Sequence, residues 1–140
     1  MTDEQLARHT LETTGCSCVA VKNGQAVVSE MSGVRPLMLW LQDQPELLRG
    51  ACVADKIVGK AAALLLLYGG VTHVYGAVMS DPAAAVFRQH GMPYTCTTRV
   101  EHIRNRTNTG ICPMEQRVAA QDSPAAAYAD LKQFLSEKTK

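Results

Sequence analysis

Residues Gly50 to Tyr68 read GACVADKIVGKAAALLLLY. The run Ala51-Cys52-Val53 suits a short buried strand, and Asp55 behind it is a good helix N-cap. From there the pattern predicts a helix with almost no polar face, since Ile57, Val58, Ala61, Ala62, Ala63 and Leu64 to Leu67 cover its circumference. A helix that is apolar all round belongs in a core. It is too short for a membrane span, which needs about 20 apolar residues. Its ionic residues, Asp55, Lys56 and Lys60, fall in the first two turns, and the two lysines are spaced i, i+4 on one side. The helix dipole disfavours cations at that end by a few tenths of a kcal/mol. Two readings stay open. The lysines build an anion site with the free N–H groups of the helix start, or their stems cover apolar surface while the ammonium groups reach water.

Upstream, Thr2-Asp3-Glu4-Gln5 has the form of a capping box and Gly15 that of a helix stop. Between Cys18 and Glu30 the period changes to that of strands, and Asn23-Gly24 in the middle is a strong hairpin signal. A second helical stretch follows from Leu37 to about Leu48, broken or restarted at Pro45. Downstream, Gly69-Gly70 ends the buried helix and Val71 to Val78 reads as a strand. Asp81-Pro82 then opens a helix that closes at Gly91. The β-branched run Tyr94 to Val100 is another strand, residues 101–110 form a polar loop, and Ser123-Pro124 starts a C-terminal helix over about 123–137. A hairpin followed by alternating helices and strands predicts an α/β fold: a three-layer α/β/α sandwich on a mixed sheet, its helix-separated strands parallel.

With 140 residues the chain is expected to form one domain, 1–140, with a core that needs no staples. A net charge of +1 gives no electrostatic case for nucleic acid. No run is long enough to suggest a membrane partner, and the acidic start Thr2-Asp3-Glu4 is unlike a secretion signal. Five cysteines without paired spacings suit reduced thiols, hence a cytoplasmic protein with no metal and no cofactor. Edge strands of such a sheet need cover, so a homodimer is expected.

Polar chemistry concentrates at predicted helix starts. In Cys112-Pro113-Met114-Glu115 the proline makes Cys112 an N-cap and places Glu115 at the capping-box position. A thiol at a helix N-terminus ionises more readily, so Cys112 is the candidate nucleophile and Glu115 a candidate acid, base or ligand. A cap that merely uses cysteine is the plainer reading. The adjoining loop supplies Asn105 and Arg106, suited to a carboxylate or phosphate, although solvated loops also look like this. Cys16-Ser17-Cys18 lacks the spacing of a metal site.

The motif pair VADKIVGKAAALLLLYGGV (53–71) and NRTNTGICPMEQRV (105–118) resembles an uncharacterised bacterial family, a domain of unknown function assigned to the cytidine-deaminase-like superfamily; the likeness spans about residues 15–120. The resemblance implies a cytidine-deaminase-like sandwich. It also implies a His- or Cys-x-Glu at one helix start and Pro-Cys-x-x-Cys at the next, to hold zinc and shuttle protons. Aligned element by element, those positions fall at Asp55-Lys56-Ile57 and Ser80-Asp81-Pro82-Ala83-Ala84, and neither motif is present. The expectation is a zinc-free, repurposed pocket for a small anionic or nucleotide-like ligand. Cys112, Glu115 and Lys60 are its candidate catalytic residues, with Asp55, Lys56, Asn105 and Arg106 binding. The alternative is a non-catalytic ligand-binding or regulatory domain on the same scaffold. A metal site drawn from Cys52, Cys96, His102 and Cys112 is a third.

Overall fold

A computed structural model describes residues 1–105 and 107–138. Arg106, expected in the ligand loop, lies outside them. The first helix, α1 (Asp3–Thr14), opens with the predicted capping box: Gln5 N–H donates to Thr2 Oγ1 at 3.1 Å and Thr2 N–H to Gln5 Oε1 at 2.9 Å. Strands β1 (Cys18–Lys22) and β2 (Gln25–Ser29) form the hairpin, and Asn23 and Gly24 both take the positive φ that its two-residue turn demands. The Asp3 carboxylate accepts both turn N–H groups at 2.9 Å, so α1 and the hairpin are tied end to end. Then come α2 (Arg35–Asp43), α3 (Pro45–Leu48), β3 (Cys52–Val58), α4 (Lys60–Gly69) and β4 (His73–Ser80). Completing the chain are α5 (Asp81–Gln89), β5 (Tyr94–Val100), α6 (Pro113–Val118) and α7 (Pro124–Lys138).

The sheet runs in the order β2-β1-β3-β4-β5, antiparallel on both sides of β1 and parallel through β3, β4 and β5. It is the mixed sheet of the predicted α/β sandwich. One face packs on α1 through Ala7, Leu11, Val19, Val21, Ala54 and Tyr75. The other carries the larger core, with Leu37, Leu48, Leu64, Leu65, Leu66, Phe87 and Leu131 at its centre. Helix α4 is contacted by α2, α3, α5, α6 and α7, which explains why it is apolar all round. Among the described residues no helix is long and apolar enough to cross a membrane.

The central stretch corrects the predicted boundary. Asp55 caps nothing; it lies inside β3, which continues to Val58, and the helix begins at Lys60 behind Gly59. Continuous apolar runs fit strand and helix alike, and here pairing on both sides decides: Asp55 stands opposite Cys18 on β1 and Gly76 on β4. The predicted lysine pair dissolves with the shift. Lys56 sits on the strand and donates through Nζ to Gly15 O at 3.2 Å, whereas Lys60 Nζ donates to Ala119 O at 2.9 Å. The two never share a helix face. Ser80, one residue before the predicted Asp81, caps α5 through its hydroxyl.

Candidate functional site

Strand alternation slips at the carboxyl ends of β3 and β4. Val53 and Val58 both enter the larger core although five residues apart, as do Val74 and Met79. Strict alternation would send the members of each pair to opposite faces. The slip occurs in register, with Ile57 opposite Val78 and Val58 opposite Met79, and it turns Ile57 out to 53% exposure. Ile57 and Val78, joined by Val100 and Ile103, floor an open depression of 460 Å³; Glu101, His102 and Arg104 form its rim. The carboxyl ends of parallel strands are where open α/β sheets place their ligands.

The loop after β5 is ordered by its own bonds. Arg104 bridges Ile111, Cys112 N–H donates to Ile103 O at 2.9 Å, and Asn105 N–H donates to Gly110 O at 2.9 Å. The Asn105 side chain, expected to hold a ligand, is spent inside this turn: Oδ1 accepts from Thr109 N–H at 3.0 Å and from Thr107 Oγ1 at 3.3 Å, and Nδ2 donates to Thr109 Oγ1 at 3.2 Å.

Glu115 does cap a helix, though not its own. Its carboxylate reaches across the fold to α4, where Oε1 accepts from Lys60 N–H at 2.6 Å and Oε2 from Ala61 N–H at 2.9 Å. Gly59 makes the approach possible, since a Cβ there would lie 2.7 Å from Oε2 and closer still to Cδ and Oε1. Burial pushes the Glu115 carboxyl above the usual range, while the two N–H groups, Lys60 and His102 pull the other way. The anion site predicted at this helix start is therefore filled by the protein's own carboxylate. Lys60 is buried beside it, bonded to Ala119 O and 3.5 Å from Asp122. Cys112 is the N-cap of α6 but its thiol caps nothing, and Glu115 does not turn back to it. The thiol is partly exposed.

Asp55 is 5% exposed, and its Oδ2 has no hydrogen-bond partner among the described residues. Oδ1 accepts Ile57 N–H at 3.4 Å. Burial pushes this carboxyl up to about 7 against the pull of the Ile57 N–H and the Cys18 thiol. Burial and the neighbouring Asp55 in turn hold the Cys18 thiol well above its ordinary value.

The described residues expected to form one pocket thus do not come together. Glu115 and Lys60 lock α4 to α6, Asp55 lies within the sheet, and Lys56 serves the end of α1. Cys112 is tied to the loop after β5 through its N–H, which donates to Ile103 O. Among the described residues, no three His, Cys, Asp or Glu side chains group as metal ligands, so Cys52, Cys96, His102 and Cys112 do not come together. The two helix starts with which the zinc motifs were aligned fall at Lys60, behind β3, and at Asp81. No His, Cys or Glu lies within three residues of either start. The floor residues Ile57, Val78 and Val100 had no sequence signal, because strand residues become a floor only where alternation slips.

Fold and site define an α/β domain with an open depression at the carboxyl ends of its parallel strands. Residues 6–135 match TM1506, Domain of unknown function (DUF1893), and the chain belongs to that family. It is similar to the crystal structure of a DUF1893 family protein (TM1506) from Thermotoga maritima, determined at 2.70 Å. The two are 26% identical with a TM-score of 0.85, over 98% of this chain and 91% of that one. No functionally curated protein matches. The family match and the structural likeness support a domain of unknown function on this fold, and neither carries a deaminase assignment.

Proposed function

We propose that this DUF1893 domain binds a small anionic, nucleotide-like ligand in the depression above β3, β4 and β5, on a deaminase-like scaffold without the zinc motifs. The apolar floor of Ile57, Val78, Val100 and Ile103 offers a surface for a flat ring, while on the rim Arg104 supplies a cationic partner for an acidic group and His102 a ring N–H donor. The observation that carries the reading is that Arg104, on the rim with Glu101, is in no ion pair among the described residues. Native mass spectrometry of freshly purified protein, followed by titration with nucleoside monophosphates, tests it. Retention or saturable binding that Arg104→Ala weakens at least tenfold is expected. Absent binding, or binding indifferent to Arg104, contradicts it.

The binding reading stands ahead of the catalytic one because Glu115 and Lys60 are engaged in holding α4 to α6. Thiol chemistry at Cys112 is favoured by one observation: its side chain makes no capping bond, while its N–H is bonded to the carbonyl of Ile103 in the floor. Alkylation of Cys112 at least tenfold faster than Cys96 at neutral pH supports a nucleophile or oxidant sensor there, and equal rates leave a binding module. The homodimer belongs to the same proposal. Terminal strand β2 is uncharged and exposes Val27 and Val28 at 37% and 50%. Light scattering decides between a dimer and a 15.1 kDa monomer.

A further inference from the structure

Asp55 occupies the central strand of the sheet, where a bare carboxylate is costly unless it is fully hydrogen-bonded. The packing compensates it only in part: the N–H groups of Ile57 and Lys56 and the Cys18 thiol favour the charge, while Oδ2 has no hydrogen-bond partner among the described residues. The register partner on β4 is Gly76, which offers no side chain, and the partner on β1 is Cys18, with Cys16 behind it as the next titratable group. The nearby cations face elsewhere: Lys56 is turned to Gly15 O, and Lys60 to Ala119 O and Asp122. The contact that leads out of the core is Ile57 N–H to Oδ1, made at the point where alternation slips and Ile57 turns from the sheet into the depression.

We infer that Asp55 is a proton-controlled prop for the floor of the depression, its carboxyl setting the position of Ile57 according to whether it is ionised. When the carboxyl releases its proton to solvent it becomes a charge-assisted acceptor, which shortens and strengthens the bond from the Ile57 N–H. The same charge requires a donor for Oδ2, from a closer approach of the Cys18 thiol or from water entering at the slip. Either adjustment moves the residue whose side chain floors the site. The burial that holds this carboxyl up towards neutrality places the change in a physiological window. Through the ligand reading above, on which this last consequence rests, a nucleotide-like anion binds more weakly once Asp55 is charged.

The test needs no ligand. Amide resonances of Ile57 and Cys18 and the side-chain carboxyl carbon of Asp55 are followed by NMR from mildly acidic to mildly alkaline pH. The study covers the wild-type chain, Asp55→Asn, and His102→Ala as a control for the rim histidine. Expected is one shared midpoint near neutrality for all three signals, unchanged in His102→Ala, with both amide titrations lost in Asp55→Asn. An Ile57 amide that stays flat across the range, or that still titrates in Asp55→Asn, overturns the inference. The carboxyl carbon reports on the wild-type chain even if the asparagine variant misfolds. Failure of every nucleotide to bind would defeat the ligand reading while leaving the Ile57 result to stand or fall by itself.

Discussion

Replacing Gly59 by alanine isolates the bond that joins α6 to the start of α4. Gly59 has φ −96° and ψ −176°, which alanine adopts without strain, so the backbone gives no reason for a loss. The added Cβ would instead collide with the Glu115 carboxyl and force it off the N–H groups of Lys60 and Ala61. An N-cap is worth about 1 kcal/mol and a hydrogen bond to a charged group about 1.5–3 kcal/mol, so displacement should cost ~2–3 kcal/mol. Glu115→Ala should cost a similar amount. The double variant should cost little more than Glu115→Ala alone, because the colliding partner is gone. The cycle should therefore show a coupling of about 2 kcal/mol, well above the ~0.5 kcal/mol scatter expected of independent sites. Urea denaturation followed by the fluorescence of Trp40, the single and buried tryptophan, measures all four proteins. A near-neutral Gly59→Ala, or the same cost with and without Glu115, refutes the reasoning.

Further outcomes follow from the same contacts. The folded-state value of Asp55, about 7, lies above the ordinary 3.8. The native protein thus keeps a proton that the unfolded chain has released between these values, and stability falls as pH rises through that window. Asp55→Asn should remove this fall and recover up to ~4 kcal/mol above neutral pH. Glu115, also raised, contributes a decline of the same sign that the variant retains. Urea midpoints at acid and alkaline pH check this, and parallel profiles contradict it. At Gly69 a Cβ would meet Leu48 Cβ and Cδ1 at 2.9 Å, so Gly69→Ala should overpack the α3–α4 contact and cost ~1–3 kcal/mol despite its better helix propensity. A stabilised variant in thermal denaturation would show that α3 yields freely.

What could be read from the residues was local. Asn23-Gly24 dictated the hairpin, Thr2 and Gln5 the first cap, and Tyr94 to Val100 a strand with the observed ends. Asp55 to Val58 was misassigned because a capping aspartate before apolar residues looks the same in a buried strand; neighbours 37 residues back and 21 ahead settle the matter. Glu115 drew notice for the right property, a carboxylate beside a helix start, and the wrong helix. Its partners stand 55 and 54 residues away. Cys112 kept its expected N-cap position because Pro113 fixes the start of α6 from within the segment. The depression was not legible, since it depends on a simultaneous slip in two strands.

The central claim, an anion-binding depression at the carboxyl ends of β3, β4 and β5, is tested most directly by a two-dimensional amide NMR titration with nucleoside monophosphates. Expected are saturable shifts clustered at Ile57, Val78 and residues 100–104, strongly reduced in Arg104→Ala. No saturable shift, or a cluster elsewhere on the surface, would contradict it.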